Sequence, residues 1–420
     1  MVKQSFWRYE NGLLAMLSVG LGFTILDRVS LTLLSPFILT DLHLNNTDLG
    51  VMAAALSVTL AISGYAFGRA SDHWGNRKLV LVIAVLFFSL FSSISGLAIS
   101  LFTMVAARLV MGLTEGPILP LSYSIMAMES SSHRRSFNHG LLANLATCLI
   151  GGVLGPILLV HIAQAYSWRV AFFLVGVPGL ITALLMLRFM REPKLALPAE
   201  IAAEDAHPTP AQLAGRRGNI ALCLFLLCGL YTWLLVTLAF MPLYLVRVVG
   251  MKPTDMALLS AFFGLSGATC AIGVSWLADR IGRKPTAIIF SIVGLLVPLG
   301  ALIFPKSIPV LALSLFIGWS YIGCSPLFAG TIPAESSDPA KVARTLALII
   351  GVAEIVGGVL MPVLAGSAAD RWGLAAPLWI VFAATALTAV GACFLKETAP
   401  GRIKHAIVAE PAVNLSELPL

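Results

Sequence analysis

Charge is scarce in this chain. Asp, Glu, Lys and Arg make up 11% of its 420 residues, against roughly 25% in a soluble domain, too few to cover a water-facing surface of this size. Cysteine is sparse as well. Cys148, Cys223, Cys228, Cys270, Cys324 and Cys393 all fall within apolar runs and none has metal-ligand spacing. They read as small packing groups, and disulfides are not expected. His43, His73, His133, His139, His161, His207 and His405 lie in loops or near helix ends and make no ligand cluster. The glycine loop followed by Lys and Ser or Thr that cradles nucleotide phosphates is missing, so there is no sign of a nucleotide-driven pump. No constellation of nucleophile and base supports an enzyme, and no cofactor or metal is implied.

What the chain has in excess is apolar length. Hydrophobic residues make up 58%, mean hydropathy is +0.93, and runs of about 20 residues recur, each long enough to cross ~30 Å of hydrocarbon. Twelve such runs are expected, over 12–38, 47–68, 79–98, 102–127, 138–162, 169–190, 219–246, 256–277, 286–304, 309–332, 345–368 and 375–395. Helices are the element that fits, because backbone groups in lipid must bond within their own segment. With both termini on one side, that side gathers 20 basic residues in its loops and the other gathers five. The positive-inside rule then puts both termini in the cytoplasm. The net charge of +7 is thereby accounted for by topology, and a nucleic-acid partner is not expected. The run after Glu10 has no small-residue cleavage site, so no cleavable signal peptide is expected.

The runs also repeat. Gly68, Asp72, Gly75, Arg77 and Lys78 punctuate the chain after the second run, and Ser275, Asp279, Gly282, Arg283 and Lys284 do so after the eighth, with the acids 207 positions apart. Thr47-Asp48 returns as Thr254-Asp255 at the same offset, and Gly151-Gly152 with Pro156 returns as Gly357-Gly358 with Pro362 at an offset of 206. One six-helix unit therefore occurs twice in the same direction. The expected organisation is a first half over 1–190, a cytoplasmic linker over 191–218, a second half over 219–396 and a loose cytoplasmic tail over 397–420. These motifs resemble the major facilitator superfamily along the whole chain. The resemblance implies an all-α integral membrane fold of twelve helices. It also implies that Glu129 and Glu335, again 206 apart, latch the cytoplasmic side against the loop bases, together with Asp72, Arg77, Asp279 and Arg283.

Ionisable residues inside a span are expensive, so each is a functional candidate. Asp27 and Arg28 in the first span, with Thr24, Thr32 and Ser35, make a polar stripe at helical spacing. Arg108 and Glu115 make a second stripe in the fourth span. The positions equivalent to Asp27, Arg28, Arg108 and Glu115 in the second half are Leu234, Leu235, Ser314 and Tyr321. The fold repeats there without the charges, which favours a substrate or proton role over a structural one. Leu26-Asp27-Arg28-Val29-Ser30, the segment from Arg108 to Gly116, Trp168-Arg169-Val170-Ala171-Phe172-Phe173 and Arg191-Glu192-Pro193 are similar to the anion:cation symporter family. That resemblance implies that Arg28 clamps a substrate carboxylate, that Asp27 and Glu115 carry protons, and that Arg108 pairs with Glu115. The chemistry is consistent: guanidinium meets a carboxylate with two parallel bonds, while burial favours a neutral acid and a nearby cation favours its ionised form.

Tyr231 and Tyr321 are expected to face the cavity from the second half, as substrate contacts or as packing. Glu354, the one acid deep in that half, is either a further proton or substrate site or a helix cap. The function expected is proton-coupled uptake of a small organic anion, a sugar acid or another carboxylate, across a bacterial cytoplasmic (inner) membrane, by a protein complete as a monomer. The alternatives are efflux or lipid-like amphiphile transport on the same fold, as in drug/proton antiporters or the Spinster-like branch, and a sensor that binds ligand without moving it.

Overall fold

The computed structural model describes residues 2–74, 76–131, 134, 138, 141–142, 147–193, 210–337 and 342–398; for 2–8, 64–74, 127, 147, 210–217, 271–272 and 342–343 it describes the backbone alone. Among the described residues no strand occurs, and the twelve apolar runs are helical. They are α1 (Tyr9–Leu33), α2 (Asn46–Ser63), α3 (Arg77–Ser95), α4 (Leu101–Met126), α5 (Cys148–Ala165) and α6 (Trp168–Phe189). The second set is α7 (Gly218–Arg247), α8 (Pro253–Ile281), α9 (Arg283–Ile303), α10 (Ile308–Ser336), α11 (Arg344–Trp372) and α12 (Ala376–Ala392). The helix of α2 runs on to Trp74, and that of α7 begins at Pro210, inside the stretch expected as a linker. Residues 194–209 of that linker, and the tail from 399 onward, lie outside the described residues.

Local chemistry sets several of the starts. The Asn76 side chain accepts from the Leu79 backbone N–H to cap α3, Ser100 and Thr103 form a reciprocal capping box for α4, and Ser167 caps α6. Each satisfies backbone donors that a helix start leaves unpaired. Glu192 adds a longer-range cap, accepting from the backbone N–H of Arg77 at 2.8 Å and of Lys78 at 3.1 Å. Glu397 does the same for Arg283 at 2.8 Å and Lys284 at 3.2 Å. An acid after the sixth helix of each half thus sits on the start of the third, where the positive end of the helix dipole favours it.

The two sets of six pack alike. Within the first, α1 lies against α5 and α6, α2 against α4, and α3 against α6; within the second, α7 lies against α11 and α12, α8 against α10, and α9 against α12. Across the two sets, α2 meets α11 and α5 meets α8. The repeated glycine pairs explain how closely these helices approach. A side-chain carbon on Gly151 would lie 2.7 Å from Ile25 Cγ2, and one on Gly357 would lie 2.5 Å from Tyr231 Cβ, both inside their own half. The next glycine faces the other half: a carbon on Gly152 would lie 2.5 Å from Gly264 Cα, and one on Gly358 would lie 3.0 Å from Ser57 Cβ. Gly264 and Ser57 are themselves 207 positions apart, so these are two copies of one contact. Just before Pro156 and Pro362 the backbone widens into π-helical turns, Thr147–Leu154 and Ile355–Leu360. Proline lacks the N–H that the carbonyl four residues earlier needs and crowds that carbonyl, and a wide turn is one relief.

Candidate functional site

Where α1, α2, α7 and α11 converge they enclose a cavity of about 230 Å³, lined from both halves. Its polar side chains are Arg28, Thr32, Ser57, Arg108, Tyr231 and Glu354. Arg28 is partly exposed, its side chain 27% accessible, while Asp27, Arg108, Glu115 and Glu354 are buried. Its Nη2 donates to Glu354 Oε1 at 3.0 Å, and its Nη1 lies 3.7 Å from Glu115 Oε1. One guanidinium from α1 is therefore shared between an acid of its own half and an acid of the other.

A second pair lies behind it. Arg108, with only 1% of its side chain exposed, places Nη1 3.8 Å from Asp27 Oδ2 and 3.5 Å from the Asp27 carbonyl oxygen. Ser92 of α3 donates to Asp27 Oδ1, and the Arg108 guanidinium stands 5.3 Å from the centre of the Phe172 ring. Among the described residues, Asp27 Oδ2, Glu115 Oε2 and both Nε and Nη2 of Arg108 have no hydrogen-bond partner. Unsatisfied buried polar atoms are costly, so this cluster is poorly served for a purely structural ion network.

The pairing corrects the sequence-based expectation. Arg108 was expected to pair with Glu115, two turns along the same helix; instead each arginine reaches across helices, Arg108 to Asp27 and Arg28 to Glu115 and Glu354. Tyr231 lines the cavity, and so do Leu234 and Leu235, the uncharged counterparts of Asp27 and Arg28. Tyr321 does not. It is fully buried in the second half, edge-on to Trp233 at 5.0 Å and pressed against Gly294. Glu354 is a direct partner of Arg28 rather than a helix cap.

Of the loop motifs, the second is the more fully described. Arg283 pairs with Asp279 and reaches Glu335 Oε1 at 3.3 Å, while Glu335 Oε2 accepts from Thr398 Oγ1 at 2.5 Å. In the first, Arg77 Nη1 reaches Ser124 Oγ at 3.0 Å and Met128 Sδ at 3.1 Å, beside Glu129, which ends its helix. Gly68 and Asp72 lie in the stretch where only the backbone is described, and Gly75 lies outside the described residues.

Sequence reasoning missed the roles of four residues, although Glu192 already stood in a quoted motif. Ser92 gave no signal, being one serine among several in α3. Glu192 and Glu397 did give one, since they sit 205 positions apart at the ends of matching helices. Asp370, at the end of the bundle away from the Asp72 and Asp279 loops, has no acidic counterpart in the first half. Its Oδ1 accepts from Asn46 N at 3.0 Å and Asn46 Nδ2 at 2.8 Å, and its Oδ2 from Thr47 N at 2.8 Å and Thr47 Oγ1 at 2.5 Å. At the same end Arg247 Nη2 donates to Thr40 Oγ1 at 3.1 Å. The two halves are tied together there.

Sequence comparison decides the family. A model of the Major Facilitator Superfamily matches residues 13–329 and 236–418. The chain belongs to the Major Facilitator Superfamily. Within the superfamily it is 29% identical over 266 residues to the hexuronate transporter of Bacillus subtilis, a match covering 62% of each chain. It is 27% identical over 329 residues to a probable 4-methylmuconolactone transporter of Cupriavidus pinatubonensis, covering 76% of this chain and 73% of that one. The fold is that of a bacterial homologue of the human lysosomal transporter Spinster, solved inward-facing and occupied, with a TM-score of 0.73 at 16% identity over 92% of this chain and 96% of that one.

Proposed function

We propose that this protein is a secondary active transporter that takes up a small organic anion by proton-coupled alternating access. It would work as a monomer in a bacterial inner membrane with both termini cytoplasmic. The observation that carries the reading is Arg28, held at the cavity by Glu354 at 3.0 Å and near Glu115 at 3.7 Å. An arginine is the side chain best shaped to meet a carboxylate, and here it is already occupied by two. The cluster holds two guanidiniums and three carboxylates, a charge of −1 when all are ionised. An added anion would make this −2, which a low-dielectric site disfavours. Protons on Glu115 and Glu354 remove that obstacle and free the Arg28 fork for the substrate. Asp27, backed by Ser92 and Arg108, is a further place where a proton can enter. Binding by Arg28 and Glu354 together spans both halves, so occupancy can bias how they rock about the cavity.

The test is transport by the reconstituted full-length protein. Under an inward proton gradient, liposomes should concentrate a labelled carboxylate, and a protonophore should abolish this. Glu115→Gln should lose accumulation and retain exchange of internal for external substrate, since exchange need not return an empty carrier. Binding without accumulation would instead make the protein a sensor. Transport of a hydrophobic dye with no carboxylate carried would favour the amphiphile reading, which draws on the apolar part of the lining.

A further inference from the structure

The resemblances reach as far as organic anions; the cavity says more about which kind. We infer that the substrate is a monocarboxylate with an apolar, ring-sized body, and not a polyhydroxylated sugar acid. This rests on the reading of Arg28 as the anion clamp and narrows it.

Size comes first. An apolar cavity of ~150 Å³ takes up benzene, and this one, at about 230 Å³, has room for a ring and its carboxylate. Wall chemistry comes second. Much of the remaining lining is built by Val29, Met52, Leu56, Leu234, Leu235 and Leu238, none of whose side chains can serve a hydroxyl. The polar groups are few and partly committed. The Thr32 hydroxyl donates to the Val29 carbonyl at 2.9 Å, and Arg108 is almost wholly buried against Asp27. Ser57, Tyr231 and the protonated Glu354 are left to meet whatever polar atoms the substrate body carries, fewer groups than a pyranose acid has hydroxyls. A pyranose acid brings several hydroxyls, each losing its water on entry and needing a new partner. A ring without hydroxyls loses nothing there and gains apolar contact. Number of cations comes third. With Arg108 held by Asp27, Arg28 is the guanidinium placed for a ligand, so one carboxylate is matched and a second is not.

The experiment is a titration of the purified full-length chain in detergent, by calorimetry at acidic pH, with five probes: benzoate, cyclohexanecarboxylate, glucuronate, phthalate and neutral benzamide. Benzoate and cyclohexanecarboxylate should bind at least tenfold more tightly than glucuronate and phthalate, and benzamide should not bind. Glucuronate equal to or tighter than both ring acids overturns the inference while leaving the organic-anion reading intact. Phthalate tighter than benzoate overturns the single-carboxylate part. Benzamide binding as well as benzoate removes the carboxylate clamp itself, and with it the reading beneath, as does failure of every probe to bind. Leu235→Asn should weaken the ring acids at least tenfold and leave glucuronate unaffected. Leu238→Asn repeats the test on the same wall should the first variant not fold, and ring-acid affinities unchanged in both would overturn the inference.

Discussion

Arg28→Lys keeps the charge at the cavity but replaces a planar fork with a point donor. Anion affinity in a binding titration should therefore fall at least tenfold, about 1.4 kcal/mol; unchanged affinity would take Arg28 out of the site. That Asp27, Arg28, Arg108 and Glu115 would gather was legible in the sequence, because charges inside apolar runs are costly and need one another or a polar cavity. Who pairs with whom was not, and for Glu354 a site residue and a helix cap both stayed open. Spacing along one helix places Arg108 and Glu115 on one face but is silent about the rotation of α1 beside it, and that rotation delivers Asp27 to Arg108 and Arg28 to Glu115. Tyr321 failed for a related reason. It was aligned with Glu115 on the assumption of equal helical geometry, yet residues Ser320–Cys324 are wound as a 3-10 turn. The tighter winding turns side chains away from the face an α-helix would give them.

Whole elements were the most legible part, since a span of apolar residues can do little else than cross a bilayer. Their close approaches were half legible. Gly151-Gly152 and Gly357-Gly358 were visible as a repeat. That one glycine of each pair faces its own half and the next faces the other needs the three-dimensional packing. Gly152→Ala places a carbon against the Gly264 backbone, which cannot move aside as a side chain would. Overpacking of this kind costs about 1–3 kcal/mol, enough to shift a two-state balance about 5–150-fold. The variant should retain anion affinity within a factor of a few but turn over more slowly in a liposome uptake assay. Wild-type turnover would show that the α5–α8 contact is looser than described.

At the scale of the molecule, the halves are joined at the end where Asp370 receives the start of α2, with Arg247 and Thr40 beside it. Asp370→Ala removes four acceptor contacts and leaves the Asn46 and Thr47 N–H groups to water. This should open that end more often, seen as faster labelling of Ser57→Cys by an impermeant thiol reagent applied from the Asp370 side. An unchanged labelling rate would mean that Asp370 only caps a helix. The account as a whole turns on one exchange, in which protons take the place of Arg28 on Glu115 and Glu354 while the anion takes the place of those acids on Arg28. Proton release or uptake on binding is therefore its most direct readout. In weakly buffered solution near neutral pH, adding a bound carboxylate to the purified protein should draw protons from the medium, registered by an indicator dye. Glu115→Gln or Glu354→Gln should reduce the uptake, and the double variant should leave at most the share that Asp27 takes. Tight carboxylate binding by the wild-type protein with no proton uptake across this pH range would contradict the account.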